Sequence, residues 1–274
     1  MTGRRFDWRG EAVAVVCDDA AMLARAEAYL GLPTSAVAGE GATIAVETRR
    51  DGHQLRGPFG RLTMAGGADG AYALLEAIAH VFATHTRRLV VHAGAFVGAD
   101  GGAVVYFGVP FAGKSGLTHA AWRRGLTVIG DDRLWLDTAA GTVRAFPKCL
   151  KIRMGDGPPP AGARGATAAG DAFVGALRGD RRLVVSRRAG GFAGYDAAYP
   201  VRAMAPIARG AETALVAAPS AEGLGPVLAG ATLAATPPMA LIRLAKRHAP
   251  GGRPALLRIA DGDFAGALDI LTTL

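Results

Sequence analysis

Hydrophobic and polar positions follow two spacings along this chain, and the spacing separates predicted strands from predicted helices. Short, mainly apolar runs predict strands at Ala12–Cys17, Ala42–Glu47, Leu89–His92, Ala103–Phe107, Leu126–Ile129, Leu183–Ser186, Val201–Ile207 and Leu256–Ile259. Apolar residues three or four positions apart predict helices at Ala20–Leu30, Ala71–Thr84, Lys114–Arg124, Leu224–Ala231, Pro238–His248 and Phe264–Leu271. Strands that alternate with helices indicate the α/β class, with a mixed central sheet flanked by helices.

Two glycine-rich breaks suggest how the chain is organised. Gly66–Gly70 interrupts the periodic pattern. Residues 1–87, which contain short predicted strands and one helix before this break, are expected to form a small, β-rich α+β segment, and residues 88–274 a larger α/β domain. Gly155–Gly170 is rich in Gly, Pro and Ala and has no periodicity. It is predicted to be a loop that could act as a lid.

Composition and charge indicate which partners and which cellular location to expect. The chain has 274 residues and a net charge of +8, but only four lysines, and its arginines occur in scattered pairs. Such a distribution does not favour nucleic acid as a partner. The absence of a long apolar run and of a signal sequence, with only two cysteines, predicts a cytoplasmic protein that does not enter a membrane. The sequence leaves open whether it forms a homo-oligomer.

A complete phosphate-binding motif lies between a predicted strand and a predicted helix. The motif reads Gly108-Val109-Pro110-Phe111-Ala112-Gly113-Lys114-Ser115 and is followed by Gly116. Glycines allow backbone N–H groups to approach phosphate oxygens, the lysine reaches the β- and γ-phosphates, and the serine hydroxyl ligates Mg²⁺. The motif therefore predicts a site for ATP and Mg²⁺, with Ser115 as a metal ligand.

An acidic pair, Asp131 and Asp132, follows the next predicted strand. Ligands bind at the carboxyl ends of strands in open α/β sheets, and a carboxylate there can bind Mg²⁺ or accept a proton from an attacking hydroxyl. We expect Asp131 to be the catalytic base and Asp132 to bind the metal, although the reverse order is equally compatible with the spacing. His92 precedes the phosphate loop and is a further catalytic candidate, or alternatively a core histidine.

Three cations, Lys148, Lys151 and Arg153, lie within six residues. They would suit an acidic acceptor or the charge of a phosphoryl group in transfer. A solvated strand face would show the same pattern.

The phosphate loop, helix, strand and double aspartate in this order resemble HPr kinase/phosphorylase. His92 and the segments Ala145–Arg153, Tyr199–Arg202, Pro237–Leu241 and Ala260–Phe264 extend the resemblance over about residues 88–274. The closest likeness is to HPr-kinase-like proteins of peptide-modification clusters, including lasso-peptide kinases. The resemblance implies a P-loop kinase fold of the HPr kinase C-terminal domain type and transfer of phosphate to a serine hydroxyl on a peptide or protein.

The resemblance has limits. The glutamate that follows the double aspartate in HPr enzymes has no counterpart here, where the nearest segment is Lys151–Asp156. HPr itself and the reverse phosphorylase reaction are therefore not implied. A small-metabolite kinase and a non-transferring, ATP-binding protein that presents peptides remain as alternatives.

Overall fold

The computed structural model describes residues 1–37, 42–154, 170–229, 231–232, 238–253 and 255–274. The chain forms two compact units. The first consists of Met1–Thr86 and Pro147–Gly190, and the second of Arg87–Phe146 and Gly191–Leu274. The predicted lid, Gly155–Gly170, lies almost entirely outside the described residues.

The helices and strands are numbered in chain order. The helices are α1 (Ala20–Leu30), α2 (Gly67–His85), α3 (Lys114–Arg123), α4 (Ser220–Ala229), α5 (Pro238–Arg247) and α6 (Phe264–Thr273). The strands up to the acidic pair are β1 (Thr2–Trp8), β2 (Glu11–Cys17), β3 (Thr34–Ser35), β4 (Ala42–Arg49), β5 (Gly52–Gly57), β6 (Gly60–Met64), β7 (Val90–Val91), β8 (Ala93–Val97), β9 (Ala103–Phe107) and β10 (Val128–Gly130). Those that follow are β11 (Leu134–Asp137), β12 (Thr142–Ala145), β13 (Leu150–Arg153), β14 (Ala172–Leu177), β15 (Asp180–Val185), β16 (Tyr199–Arg209), β17 (Ala214–Ala217), β18 (Ala231–Thr232) and β19 (Ala255–Ile259).

The first unit is built on a six-stranded sheet in the order β3-β1-β2-β4-β5-β6. The parallel pair β2 and β4 is connected through α1, while β4, β5 and β6 form an antiparallel meander. Helix α1 begins at Asp19, whose side chain accepts a hydrogen bond from the backbone N–H of Met22, and ends at Gly31 with φ 62°. These caps explain why its bounds agree with the sequence prediction.

A second sheet of the first unit, in the order β13-β15-β14, packs on α2. A Cβ at Gly175 on β14 would lie 2.8 Å from Cβ of Tyr72 on α2, so that only glycine allows this approach. Pro147–Gly190 therefore belongs with the N-terminal residues. The linear division into 1–87 and 88–274 does not describe these units, because packing against α2 brings the segment back to the first one.

The second unit contains a mixed sheet in the order β10-β8-β9-β16-β12-β11-β7-β18, with β19 beside β16 and β17 beside β19. Strands β9, β16 and β19 are parallel neighbours. The expected α/β class, with mixed sheets and helices, is confirmed.

Helices cover both faces of this sheet, and the residues of β9 alternate between the two cores. Val104 and Tyr106 pack with residues of α3 and α6, such as Leu117 and Leu268. Val105 packs on the other side with residues of α4 and α5, among others. The phosphate-loop strand is thus buried on both sides, which fixes the position of the loop that follows it. Among the described residues, no helix combines the length and apolar character needed to cross a bilayer.

The start of α2 differs from the prediction, as does that of α4, which was expected at Leu224 and lies at Ser220. Gly66–Gly70 was expected to be a break, but α2 begins at Gly67 and includes Gly70. A Cβ at Gly70 would lie 2.6 Å from Cε of Met22, 3.0 Å from Nδ1 of His53 and 3.3 Å from the carbonyl oxygen of Ala65, so the glycine suits close packing around α2 rather than a turn. Tertiary packing here overrides the low helix propensity of glycine.

Candidate functional site

One edge of the large sheet brings the predicted site residues of the second unit together. Strand β9 ends at Phe107, directly before Gly108, and β10 ends at Gly130, directly before Asp131. Both strands are antiparallel to β8, so they run in the same direction and end at the same edge. His92 immediately precedes β8 and lies at this edge too. Ligands bind at such an edge in α/β sheets.

The phosphate loop has a shape that depends on its glycines. A Cβ at Gly108 would lie 2.7 Å from Cβ of Ala112 and 2.9 Å from the carbonyl oxygen of Ile207. Gly113 has φ 109°, and no side chain caps the N-terminus of α3 that follows it. Phe111 also has a positive φ, 69°, and its side chain is 72% exposed. A positive φ in an aromatic residue is a strained conformation of the kind found in functional loops.

Lys114 is buried and folded back over the loop. Its Nζ donates hydrogen bonds to the carbonyl oxygens of Gly108, at 2.5 Å, and Val109, at 3.2 Å. Burial lowers the pKa of Lys114, and the carboxylates of Asp131 and Asp132 act in the opposite direction. The ammonium group therefore lies at the centre of the loop, with negative charge close by.

Asp131 is held among the hydroxyl groups of α3. Its Oδ1 accepts a hydrogen bond from Ser115 Oγ at 3.3 Å and another from Thr118 Oγ1 at 3.4 Å, and the residue is only 3% exposed. Thr118 also lies 2.5 Å from the hydroxyl of Tyr106. Space for the Tyr106 ring comes from Gly94, where a Cβ would lie 2.2 Å from the ring. A buried network thus fixes Asp131 beside the predicted metal ligand Ser115.

Asp132 is in a different environment. Its Oδ1 lies 2.7 Å from Nε2 of His92, and its side chain is 26% exposed. His92 lies between β7 and β8. In β7, Val91 pairs with Leu134 of β11, whereas β8 pairs with β9. The histidine is thereby placed between the phosphate loop and the acidic pair, where it can orient the Asp132 carboxylate.

Strands β16 and β19 bring a further group to the same edge. Arg209 ends β16, and its Nε donates a hydrogen bond to the carbonyl oxygen of Phe111 at 3.3 Å. Its guanidinium lies over the ring of Phe264, 5.4 Å from the centroid, and 3.5 Å from Oδ1 of Asp261. The ring of Phe264 is packed against the start of α3, since a Cβ at Gly116 would lie 2.3 Å from Cζ.

Sequence reasoning missed several of these residues. Thr118 could have been found, because it lies four positions after Lys114 and hence on the same side of the helix. Tyr106 and Gly94 carried no signal that separates them from ordinary core residues. Arg209 lay two residues beyond the predicted strand Val201–Ile207, and nothing local connected it with the phosphate loop.

The three cations proposed for the substrate lie in the first unit. Nζ of Lys148 and Nζ of Lys151 are 3.3 Å and 3.1 Å from Oε2 of Glu76 on α2. Arg153 contacts Oδ2 of Asp180 at 3.3 Å. Each cation thus has a carboxylate contact within its own unit. Within the second unit, the structure brings together the phosphate loop, the acidic pair and His92.

The residues present fit a nucleotide-bound Mg²⁺. In the described part of the chain, no group of three or more His, Cys, Asp and Glu side chains forms a cage for a metal. Magnesium at nucleotide sites needs no such cage, because it takes one or two carboxylates and completes its coordination with phosphates and water. Ser115 and Asp131, which share a hydrogen bond beside the glycine cradle, supply oxygen donors of the appropriate kind.

Comparison with models of protein families gives no match to this sequence, and comparison with curated proteins gives none either.

Proposed function

We propose that this protein is an ATP-dependent phosphotransferase with a P-loop kinase fold, which transfers the γ-phosphate of ATP to a serine hydroxyl of a peptide or protein. The observation that carries the proposal is the arrangement at one sheet edge. A complete phosphate loop with a buried lysine lies beside a partly exposed carboxylate, that of Asp132, which is paired with an imidazole at 2.7 Å. A protein that binds ATP without cleaving it would not need the second element.

The two aspartates differ in burial and in their hydrogen-bond partners. These differences favour the reverse of the roles first expected, with Asp132 as the base and Asp131 on the metal side. Asp131 is buried against Ser115, and an acceptor hydroxyl could not reach it without displacing that contact. We therefore assign Asp131 to the metal side of the site. Asp132 is accessible and is oriented by His92, so we assign it the role of base.

The reaction follows from these positions. Lys114 and the amide groups around Gly113 hold the terminal phosphates, and bound Mg²⁺ would neutralise part of their charge. Asp132 accepts the proton of the serine hydroxyl. The hydroxyl oxygen forms a bond to the γ-phosphorus, while the bond from that phosphorus to the bridging oxygen breaks and its electron pair leaves with ADP. Positioning and electrostatics provide most of the catalysis of phosphoryl transfer.

A peptide or protein serine as the acceptor rests on the resemblance to HPr-kinase-like peptide kinases, including the lasso-peptide kinases. Any alcohol could use the same base, so a small-metabolite kinase is the second candidate. We also propose a cytoplasmic location, because two cysteines in 274 residues are few for a protein of an oxidising compartment.

The test uses ATP labelled at the γ-phosphate, Mg²⁺ and the purified protein. Serine-containing peptides, or the peptide fraction of a bacterial extract, serve as acceptors, and mass spectrometry locates the added phosphate. Transfer to a peptide that is lost when its serine is replaced by alanine supports the proposal. In a parallel reaction with the small-molecule fraction of the extract as acceptor, label in a compound other than ATP or inorganic phosphate, without label in peptides, supports the metabolite kinase. Nucleotide binding without any transfer indicates a presenting protein.

Asp132→Asn and Asp131→Asn separate the two roles. We expect Asp132→Asn to bind ATP with little change and to lose transfer by about 10²- to 10⁴-fold. Asp131→Asn should raise the Mg²⁺ concentration that is needed for half-maximal transfer. Full transfer by Asp132→Asn would rule out its role as base.

A further inference from the structure

The strand order gives the nucleotide site two distinct flanks. The acidic pair and His92 lie on the side of β9 where β8 and β10 are found, whereas Arg209 and Phe264 lie on the side of β16 and β19. If phosphate is transferred beside Asp132, as proposed above, the γ-phosphate points to the first flank. The remainder of the nucleotide must leave the loop in the other direction, toward the ends of β16 and β19.

The hydrogen bonds of Arg209 show what its guanidinium can offer on that side. Nε donates to the carbonyl oxygen of Phe111, and Nη1 contacts Asp261, so two donor groups are committed to protein oxygens. The Asp261 carboxylate also compensates part of the positive charge. The side chain is nevertheless 45% exposed and lies over the Phe264 ring. A planar cation held in this way is better suited to stack on a flat ring than to bind a phosphate.

The neighbouring residues are also those expected near a base rather than near phosphates. Phe264 packs on Gly116, the residue that follows the metal ligand Ser115, and thus lies at the end of the loop away from the γ-phosphate. Arg209 donates a hydrogen bond to the carbonyl oxygen of Phe111, and the side chain of Phe111 adds an exposed aromatic ring nearby. Aromatic and guanidinium planes bind nucleobases by stacking, which does not depend on the identity of the base edge.

We propose that Arg209, supported by Phe264, forms the binding site for the purine base of the nucleotide, and this proposal rests on the proposed function. Because a stacked base is recognised by its face, ATP and GTP should bind with similar affinity. UTP, with a smaller ring, should bind more weakly.

Inorganic tripolyphosphate is the probe that separates base binding from phosphate binding. Affinities of ATP and of tripolyphosphate, each with Mg²⁺, are measured by calorimetry for the parent protein, Arg209→Ala, Arg209→Lys and Lys114→Ala. We expect Arg209→Ala and Arg209→Lys to weaken ATP roughly tenfold, since stacking on one residue contributes about that much. Both should leave tripolyphosphate affinity within about twofold, whereas Lys114→Ala should weaken both ligands.

Three results would overturn the assignment. Equal weakening of ATP and tripolyphosphate by Arg209→Ala, with recovery in Arg209→Lys, would make Arg209 a phosphate ligand. Unchanged ATP affinity in both variants, or a parent protein that binds ATP no more tightly than tripolyphosphate, would exclude a base site here. A parent protein that binds neither ligand would instead refute the proposed function itself.

Photolabelling provides a second test that needs no variant. With 8-azido-ATP, the reactive group is on the base, and we expect the label in the tryptic peptides that contain Arg209 or residues 259–274. Added tripolyphosphate should protect these peptides from photolabelling no more effectively than added unlabelled ATP does. Label confined to the peptides around His92 or the acidic pair would place the base on the opposite flank and contradict the assignment.

Discussion

Gly116 lies in the first turn of α3, where two physical effects of opposite sign meet. Replacement of glycine by alanine within a helix is favourable by up to about 1 kcal/mol. In this structure, however, the new Cβ would lie 2.3 Å from Cζ of Phe264 and 2.6 Å from both of its Cε atoms. The ring cannot move aside freely, since it belongs to the N-terminus of α6 and supports Arg209. Overpacking of this kind costs about 1–3 kcal/mol. We therefore expect Gly116→Ala to lower the free energy of unfolding by about 1 kcal/mol, with 2 kcal/mol as the upper end.

The measurement is urea unfolding followed by tryptophan fluorescence in a Trp8→Phe background. Trp122 and Trp135, both in the second unit, are then the reporters. Gly194→Ala is the matched control, because a Cβ at Gly194 meets nothing within 4 Å. That variant should be neutral or more stable by up to about 1 kcal/mol, through the smaller entropy of its unfolded chain.

A double-mutant cycle tests the cause. In a Phe264→Leu background the ring atoms that meet the new methyl group are gone, so Gly116→Ala should become neutral or stabilising. The coupling energy should then be about 1–2 kcal/mol. A stabilising effect of Gly116→Ala in the parent protein, or the same loss in both backgrounds, would refute the proposed clash.

Three further predictions concern charge and burial. Lys114→Met should retain or increase the free energy of unfolding, because it removes a buried ammonium group, while binding of tripolyphosphate is lost; urea unfolding and calorimetry measure the two effects. Glu76→Leu should destabilise the first unit by about 3 kcal/mol, because Lys148 and Lys151 lose the carboxylate that both contact. Trp8 fluorescence reports the unfolding of this unit. A substrate role for Lys151 would appear instead as a higher KM for the acceptor in Lys151→Ala, with unchanged stability. Burial raises the pKa of the Cys149 thiol to about 12, whereas an unfolded thiol ionises near pH 8.5. Its contribution to the free energy of unfolding should be complete below about pH 8.5 and be lost as the pH rises toward 12. Cys149→Ala should reduce this decrease of the free energy of unfolding with pH.

The elements that the sequence predicted best are those with strong local signals. The bounds of β9 agree with the prediction, and α3 agrees to within one residue, because a buried apolar strand, a glycine loop and a glycine after the helix determine this segment locally. Gly125, with φ 80°, directly follows the C-cap residue Arg124 in the left-handed conformation that commonly ends helices. The order of strand, loop, helix and strand also located both sides of the candidate site.

The parts that the sequence did not predict depend on distant contacts. Arg209 and Phe111 are 98 residues apart, and no local pattern indicates that they meet. The local charge pattern of Lys151 suggested a substrate contact and did not reveal its contact with Glu76, which is 75 residues away. The roles of Asp131 and Asp132 could not be separated either, because adjacent carboxylates differ only in the burial and partners that the fold gives them.

The division of the chain into units has a practical consequence for attempts to isolate the nucleotide site. The polypeptide passes from one unit to the other three times, after Thr86, Phe146 and Gly190. A fragment that begins at Arg87 would therefore retain β13–β15 but lack α2, and the face of that sheet that α2 normally covers would be exposed and prone to aggregate. Truncation from the amino terminus should yield insoluble material. A minimal fragment with the phosphate loop would have to omit residues 147–190 as well and join its two remaining pieces by a linker.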